Sequence, residues 1–116
     1  MKNTKATGLY GERLAEYILL QWDFQILEKN WRFSKSEIDI IAEKDNILHF
    51  IEVKLRSNIQ FGFPEESVNE EKLNRIQTAA EAYLKTHVHW SFIRIDIMAI
   101  VLNPSGYDYK FFEDIS

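Results

Sequence analysis

Two carboxylates and a lysine, close together in the middle of the chain, are the side chains best suited to chemistry. Glu52 follows Asp39 by thirteen residues, and Lys54 lies two residues beyond Glu52. Carboxylate oxygens are preferred ligands of Mg²⁺, which binds one or two of them and keeps several waters for a substrate. A neighbouring ammonium group can orient an attacking water or stabilise charge that develops on a phosphate. We therefore take Asp39, Glu52 and Lys54 as candidate catalytic residues.

These three residues fall in two short runs in which apolar and polar residues alternate, a pattern typical of β-strands. The runs cover residues 37–42 and 47–54, and the polar segment 43–46 between them predicts a hairpin with a four-residue turn. Centring the turn on that segment places Asp39 opposite Phe50. The two strands are thus expected to be antiparallel neighbours.

In this register Asp39 and Glu52 are diagonal neighbours on one face of the hairpin, roughly 5–8 Å apart at their Cβ atoms. Two carboxylates at that separation repel each other unless a cation or a proton lies between them. Lys54, two residues past Glu52, returns to the same face. A hard divalent cation such as Mg²⁺ is the expected occupant.

An ordinary cross-strand cluster of ion pairs would bring the same three charges together, and the spacing alone favours neither interpretation. The neighbouring residues favour a site. The face that carries the charges also carries Ile41, Leu48 and Phe50, and the opposite face carries Ile38, Ile40, Ile47, Ile51 and Val53. A sheet that is apolar on both faces is covered on both. The charges are therefore expected to be partly buried and to need paired or metal-bound partners.

The chain as a whole predicts a single α/β domain spanning residues 1–116, with two helices and five strands in the order αβββαββ. The strands are predicted over residues 24–33, 37–42, 47–54, 91–102 and 107–112, the last of them as an edge strand. A loop is predicted over residues 57–66, where glycine and proline occur.

Both helices are predicted from apolar residues that recur at helical spacing. The first covers residues 9–22, with Thr7 as its N-cap. The second covers residues 67–86 and is expected to begin at Ser67, because Ser67 and Glu70 have the spacing of a capping box.

Composition excludes several classes of protein. The chain has 116 residues, 46% of them hydrophobic, a net charge of −4 and no cysteine, which indicates one folded domain without disulfides or thiolate metal sites. The negative charge excludes a protein that holds nucleic acid by bulk positive charge. No apolar run approaches the roughly 18 residues of a membrane span, and no secretory signal is evident. We therefore expect a cytoplasmic protein without a membrane partner.

The central part of the chain differs from the rest, because only residues 29–56 carry a net positive charge. Arg32, Lys35 and Arg56 lie in this part. Together with Lys72, near the start of the second helix, they are candidate contacts to nucleic-acid phosphates. Ordinary solvated surface charge is the alternative for each of them.

Two further ionisable residues fall inside apolar strands. His49 is expected to point to the face opposite Asp39 and to pack in the core. Asp96 is expected to pair with Arg94 or Arg32 in a structural role. Neither His49 nor Asp96 is assigned to the candidate site.

Motifs along most of the chain resemble the bacterial YraN-type family, which is grouped with the PD-(D/E)xK nuclease superfamily, near archaeal Holliday-junction resolvases. The resemblance covers residues 8–100. It rests on Gly11-Glu12, Ala15 and Tyr17, on Ile26-Leu27, Asn30 and Arg32, on the runs EIDIIA at 37–42 and FIEVKLR at 50–56, on Gly62, Pro64, Lys72 and Ala79, and on Arg94 and Asp96. Ser36 and Ile95 depart from the family pattern, in which glycine and an aromatic residue are usual.

The resemblance implies a restriction-endonuclease-like fold, in which a central mixed sheet is flanked by two helices. It implies that Glu12, Asp39 and Glu52 hold Mg²⁺ or Mn²⁺ and that Lys54 activates water or supports the transition state. The expected activity is metal-dependent endonuclease cleavage of DNA, branched or structured DNA included. The alternative is a non-catalytic module that binds nucleic acid or a protein, which the acidic net charge favours. A nuclease would gain a positive face by forming a homodimer or by binding metal.

Overall fold

Two helices and five strands follow one another along the described chain in the predicted order αβββαββ. The computed structural model describes residues 4–56 and 69–113, and it describes side chains from residue 10 onward within those ranges. The elements are α1 (Thr4–Gln21), β1 (Gln25–Phe33), β2 (Ser36–Lys44), β3 (Ile47–Arg56), α2 (Glu70–Thr86), β4 (Phe92–Asn103) and β5 (Gly106–Phe112). The loop predicted over residues 57–66 lies outside the described residues.

The five strands form one mixed sheet with the spatial order β1-β2-β3-β4-β5. Neighbouring strands are antiparallel except β3 and β4, which are parallel. Parallel neighbours need a long crossover connection, and α2 lies within the connection between β3 and β4. The α/β class, the mixed central sheet and the edge position of β5 confirm the predictions. Neither described helix is long and apolar enough to cross a membrane.

Each face of the sheet is covered by one helix and its own apolar cluster, which confirms that the sheet is apolar on both faces. The α1-side cluster consists of Ala15, Ile18, Leu19, Phe24, Ile40, Ala42, Ile51, Met98 and Ile100. The α2-side cluster consists of Ile38, Ile41, Leu48, Phe50, Ile76, Ala79, Ala80, Tyr83 and Ile95. The strands in the middle of the sheet are therefore enclosed between two layers of side chains, as in other α/β domains.

Membership of the two clusters differs from the prediction at one residue. Ile38 and Ile40 were expected on the same face, since they are two residues apart in a strand. The structure instead packs Ile38 in the α2-side cluster and Ile40 in the α1-side cluster. The simple alternation of faces is thus interrupted on either side of Asp39.

The turn between β2 and β3 is shorter than predicted. Lys44 pairs with Ile47, so the turn contains only Asp45 and Asn46. Both turn residues have positive φ, 54° and 66°, as a two-residue type I′ turn requires. Asp and Asn enter this left-handed conformation more readily than other residues with a Cβ, and this explains why two residues suffice.

The shorter turn shifts the register of the hairpin by two residues. Ile41 pairs with Phe50, so the predicted pairing of Asp39 with Phe50 is wrong. Because side chains alternate with a period of two, a register shift of two residues does not by itself move a side chain to the other face. Asp39 consequently lies closer to Glu52 along the hairpin than the predicted diagonal position.

Both helices begin at other residues than predicted. α1 begins three residues before Thr7, which therefore lies inside the helix and is not its N-cap. α2 begins at Glu70, and its N-cap is Asn69, whose side-chain oxygen accepts a hydrogen bond of 2.9 Å from the Lys72 N–H. Asparagine is among the best N-caps because its side chain satisfies such a free N–H. The predicted cap, Ser67, lies outside the described residues.

A buried pair of polar side chains joins β3 to β4 on the α1 side of the sheet. His49 Nδ1 lies 2.6 Å from Asp96 Oδ2, and both side chains are buried. The His49 ring also packs edge-on against Phe24. The placement of His49 in the core is confirmed. Asp96 contacts His49, and Arg32 pairs with Glu37. The pair lies on the face opposite the candidate site.

Candidate active site

The candidate site begins where the regular pairing of β2 and β3 stops. The last pair of the ladder is Ile40 with Ile51. Beyond this pair, the Val53 N–H donates a hydrogen bond of 2.8 Å to Asp39 Oδ2. A side-chain carboxylate thus takes the place of a main-chain carbonyl, and this bond holds the Asp39 carboxylate against β3.

Glu52 is the most buried acid of the site, with 8% of its side chain exposed. Its side chain shares a hydrogen bond with Asp39. Its Oε2 atom also lies 3.7 Å from Lys54 Nζ and 2.6 Å from Lys72 Nζ. The structure therefore brings the three predicted catalytic residues together, and it adds Lys72 from the first turn of α2 as the nearest cation. Glu52 is buried while Asp39 and Lys54 are partly buried, as predicted.

Crowding of the two acids changes how readily Asp39 ionises. Burial, and then the adjacent Glu52 charge, raises the pKa of Asp39 from 3.8 to about 8, although the hydrogen bond from Val53 opposes the shift. A carboxyl with this pKa is mostly protonated at neutral pH. Asp39 can then donate its proton to Glu52, and the two acids together carry about one negative charge.

The two lysines respond to the site in opposite ways. Burial and the neighbouring Lys72 ammonium lower the pKa of Lys54. Burial is the largest single influence on Lys72 and acts to lower its pKa, but the hydrogen bonds to Glu52 and Lys54 and the charges of Glu52 and Asp39 together raise that pKa. Lys72 is therefore the stable counter-ion of Glu52, and Lys54 is the lysine that releases its proton more easily.

Glu12 approaches the site from α1, which lies close to β3. At Gly11, a Cβ atom would lie only 3.1 Å from Leu55 Cβ, so a glycine allows the close approach. Burial raises the pKa of Glu12, and the charges of Glu37 and Glu52 add to this shift. Glu12 therefore shares the electrostatic environment of Glu52.

Asn30, one of the residues that carry the family resemblance, was not assigned to the site from the sequence. Its side chain hydrogen-bonds Glu12, which lowers the pKa of Glu12. Asn30 has a left-handed backbone, with φ of 53°, between the pairs that β1 forms on either side of Asp39. Backbone conformations of this kind are uncommon in strands and cluster at functional sites. Asparagine tolerates them better than most residues, and this was the available signal in the sequence.

Two carboxylates of this site suit a hard divalent cation. In residues 10–56 and 69–113, no three acidic or histidine side chains are grouped so that they could hold a metal ion. Mg²⁺ needs only one or two carboxylates, since waters and substrate phosphates complete its coordination. Asp39 and Glu52 fit this requirement, because their contact leaves a partly buried acid pair that a cation would neutralise. The participation of Glu12 as a third ligand stays a prediction.

The predicted phosphate contacts lie at the same end of the sheet as the acid pair. Arg32 and Lys35 are exposed at the β1–β2 turn, and Arg56 is exposed at the end of β3. β2 and β3 are antiparallel, so the start of β2 and the end of β3 share this end. Arg32 pairs with Glu37 at 3.6 Å. Lys72 reaches the same end, but it contacts Glu52.

Comparison with known proteins identifies the family. Residues 11–100 match the sequence profile described as Uncharacterised protein family UPF0102. The chain belongs to this family. A UPF0102 protein of Dictyoglomus turgidum is 48% identical over 105 residues, which cover 90% of this chain and 89% of the relative. A UPF0102 protein of Clostridium perfringens is 42% identical over 116 residues, which cover 97% of this chain and 95% of the relative.

A third relative, the UPF0102 protein of Cytophaga hutchinsonii, is 49% identical over 94 residues, which cover 80% of this chain and 82% of that protein. The resemblance to the YraN-type family is thereby confirmed. The matched part of this UPF0102 chain contains every residue of the site, from Glu12 in α1 to Lys72 in α2.

Replacing Asp39 with Asn should change how the stability of this UPF0102 protein depends on pH. The unfolded chain loses the Asp39 proton near pH 4, whereas the folded chain keeps it until about pH 8. Between these values the folded state binds more protons, so this group makes the wild type less stable as pH rises. The amide introduced by Asp39→Asn can still accept the Val53 N–H and does not titrate. In chelator, Asp39→Asn should gain several degrees of melting temperature relative to the wild type between about pH 5 and pH 8.5.

Glu81→Gln is the matched control, because Glu81 is an exposed acid on α2. Its difference from the wild type should stay constant over the same pH range. An Asp39→Asn difference that is equally constant would contradict the shifted pKa of Asp39.

Proposed function

We propose that this UPF0102 protein is a metal-dependent nuclease that acts on DNA, branched or structured DNA included. The observation that carries the proposal is the contact between Asp39 and Glu52 at a partly buried position, with Lys54 beside them. Buried acid pairs are costly to stability unless a cation or proton joins them. Such a cost is typical of sites whose chemistry needs the pair. We expect the protein to work in the cytoplasm.

Each residue of the site has a role that follows from its position. Asp39 and Glu52 hold Mg²⁺ or Mn²⁺, and Glu12 supports them from α1. The bound ion supplies Lewis-acid polarisation of the scissile phosphate. Lys54, whose pKa is lowered, orients the attacking water, accepts its proton or stabilises the charge that develops on the phosphate. Val53 keeps Asp39 in place through its main-chain N–H.

The surroundings of the site support nucleic acid as the substrate. Arg32, Lys35 and Arg56 are exposed at the end of the sheet where the acid pair lies. Phosphate contacts by such residues position a nucleic acid without reading its sequence. A homodimer would place two such sets of residues on one particle and so give a positive face to a protein whose chains each carry a net charge of −4.

A non-catalytic binding module is the second candidate function. It is favoured by the negative net charge and by the contact of both lysines with Glu52. In such a module Lys54 and Lys72 would serve only to neutralise buried acids. The two candidates therefore differ in what removal of Lys54 does.

Substitution of Lys54 separates the two candidates. Lys54→Met should leave metal binding intact or stronger, because it removes a positive charge and keeps both carboxylates. Cleavage should slow by about 10²-fold or more, the effect of losing one preorganised charge. Asp39→Asn should abolish cleavage together with metal binding. The measurement is cleavage of duplex, single-stranded and four-way-junction DNA with Mg²⁺, Mn²⁺ or chelator.

Lys85→Met is the control for this series, since Lys85 lies exposed at the other end of α2 and its variant should cleave as the wild type does. A folded Lys54→Met protein that cleaves at the wild-type rate would remove Lys54 from the mechanism. A wild type that cleaves no DNA with either metal would leave the binding module as the function.

The phosphate contacts are tested by the salt dependence of DNA binding. With Lys54→Met as a slowly cleaving background and Mg²⁺ present, the logarithm of the affinity should fall linearly with the logarithm of the salt concentration. Adding Arg56→Ala should reduce the slope by about 0.9, the value for one phosphate contact. Adding Lys85→Ala instead should leave the slope unchanged. Equal slopes for both additions would exclude Arg56 from the interface, and absence of binding at low salt would favour a protein partner.

A further inference from the structure

Lys72 contacts the acid pair directly, which its predicted role as a phosphate contact does not require. Its Nζ atom lies 2.6 Å from Glu52 Oε2, whereas Lys54 Nζ lies 3.7 Å from the same atom. We propose that the Lys72 ammonium is the resident cation of Glu52 in the metal-free protein, and that a divalent ion must displace it to bind Glu52. This inference rests on the proposed metal site and adds that Lys72 competes with the metal ion for Glu52.

The competition follows from the geometry at one oxygen atom. Glu52 is buried and needs a positive partner, and the ammonium of Lys72 supplies it as a charge-assisted hydrogen bond. A metal ion on the same carboxylate would bind at about 2.1 Å and would place a double positive charge beside the ammonium. The two cations repel each other at such a distance. Lys72 and the metal ion therefore compete for Glu52.

The fold allows Lys72 to leave without a change of the backbone. The Lys72 N–H is bound by the N-cap Asn69, and further along the helix Ile76, Ala79 and Tyr83 are buried, so the start of α2 is fixed. The Lys72 side chain is 36% exposed and extends from the first turn of α2. Rotation of this side chain alone moves its ammonium into solvent.

Displacement gives Lys72 a second contact. Once a metal ion neutralises Glu52, the ammonium is free at the end of the sheet where Arg32, Lys35 and Arg56 are exposed. It can then bind a phosphate of the substrate, which is the contact expected from the sequence. Lys72 thus keeps the acid pair neutralised until metal arrives, and it becomes available for DNA only in the metal-bound protein.

Charge repulsion alone is a simpler explanation of tighter metal binding, and the experiment must distinguish it from displacement of Lys72. Removal of any nearby positive charge strengthens binding of a cation. Lys54 provides the comparison, because it is a lysine at 3.7 Å from the same Glu52 oxygen. If only charge matters, both Lys54→Met and Lys72→Met should strengthen metal binding, and the two gains in binding free energy should differ by no more than the ratio of the two distances, 3.7 Å to 2.6 Å. If Lys72 occupies the position of the metal, the gain for Lys72→Met should exceed this ratio.

The test is calorimetric titration of Mn²⁺ into the protein without DNA. Lys72→Met should bind Mn²⁺ about tenfold more tightly than the wild type, the effect of removing one charge-assisted hydrogen bond. Lys54→Met should show a smaller gain and Lys85→Met none. Lys72→Arg, which keeps the charge, should bind as weakly as the wild type. In chelator, Lys72→Met should melt below Lys85→Met, and Mn²⁺ should remove that difference.

The outcomes distinguish this inference from the proposed function. Equal affinities for Lys72→Met and Lys54→Met, a gain for Lys72→Met within the ratio of the two distances, or weaker binding by Lys72→Met would overturn the competition and leave the metal site standing. Absence of Mn²⁺ binding in the wild type and in every variant would overturn the metal site itself. Where Lys72→Met fails to fold, Lys72→Gln, which removes the charge and keeps a polar side chain, takes its place in the same comparison with Lys54→Met.

Discussion

The burial of two carboxylates side by side is the constraint on which the rest of the site depends. Asp39 and Glu52 meet where the β2–β3 ladder ends, under layers of apolar side chains on both faces of the sheet. Both cannot carry a charge there without compensation. The structure compensates in three ways: a main-chain hydrogen bond from Val53, a proton on Asp39, and two lysine ammonium groups beside Glu52. A protein that needed only stability would place apolar residues there.

The topology of the fold supplies the partners of this pair. The parallel arrangement of β3 and β4 requires a crossover, and α2 within that crossover carries Lys72 to Glu52. The close approach of α1 at Gly11 brings Glu12 near. β1 adds Asn30, whose left-handed backbone and bond to Glu12 fix the outer part of the site. Every layer of the domain therefore contributes to one end of the sheet.

The sequence predicted the fold and the centre of the site because both depend on periodicity. Alternation identified the strands, and a register error of two residues left Asp39 and Glu52 on one face. Features that depend on local geometry were missed, namely the two-residue turn at Asp45 and Asn46 and the cap at Asn69. The contact of Lys72 with Glu52 spans twenty residues and depends on the exact placement of α2. No pattern within a single element could have revealed it.

The central claim is that the acid pair holds one proton and releases it when it binds a divalent ion. Metal binding to a protonated ligand releases that proton. Calorimetric titration of Mg²⁺ or Mn²⁺ near pH 7, repeated in buffers with different ionisation enthalpies, counts the protons released for each metal ion bound. The account predicts nearly one proton for the wild type, because the pKa of Asp39 is raised to about 8. Metal binding that releases no proton, or that persists unchanged in Asp39→Asn, would contradict it.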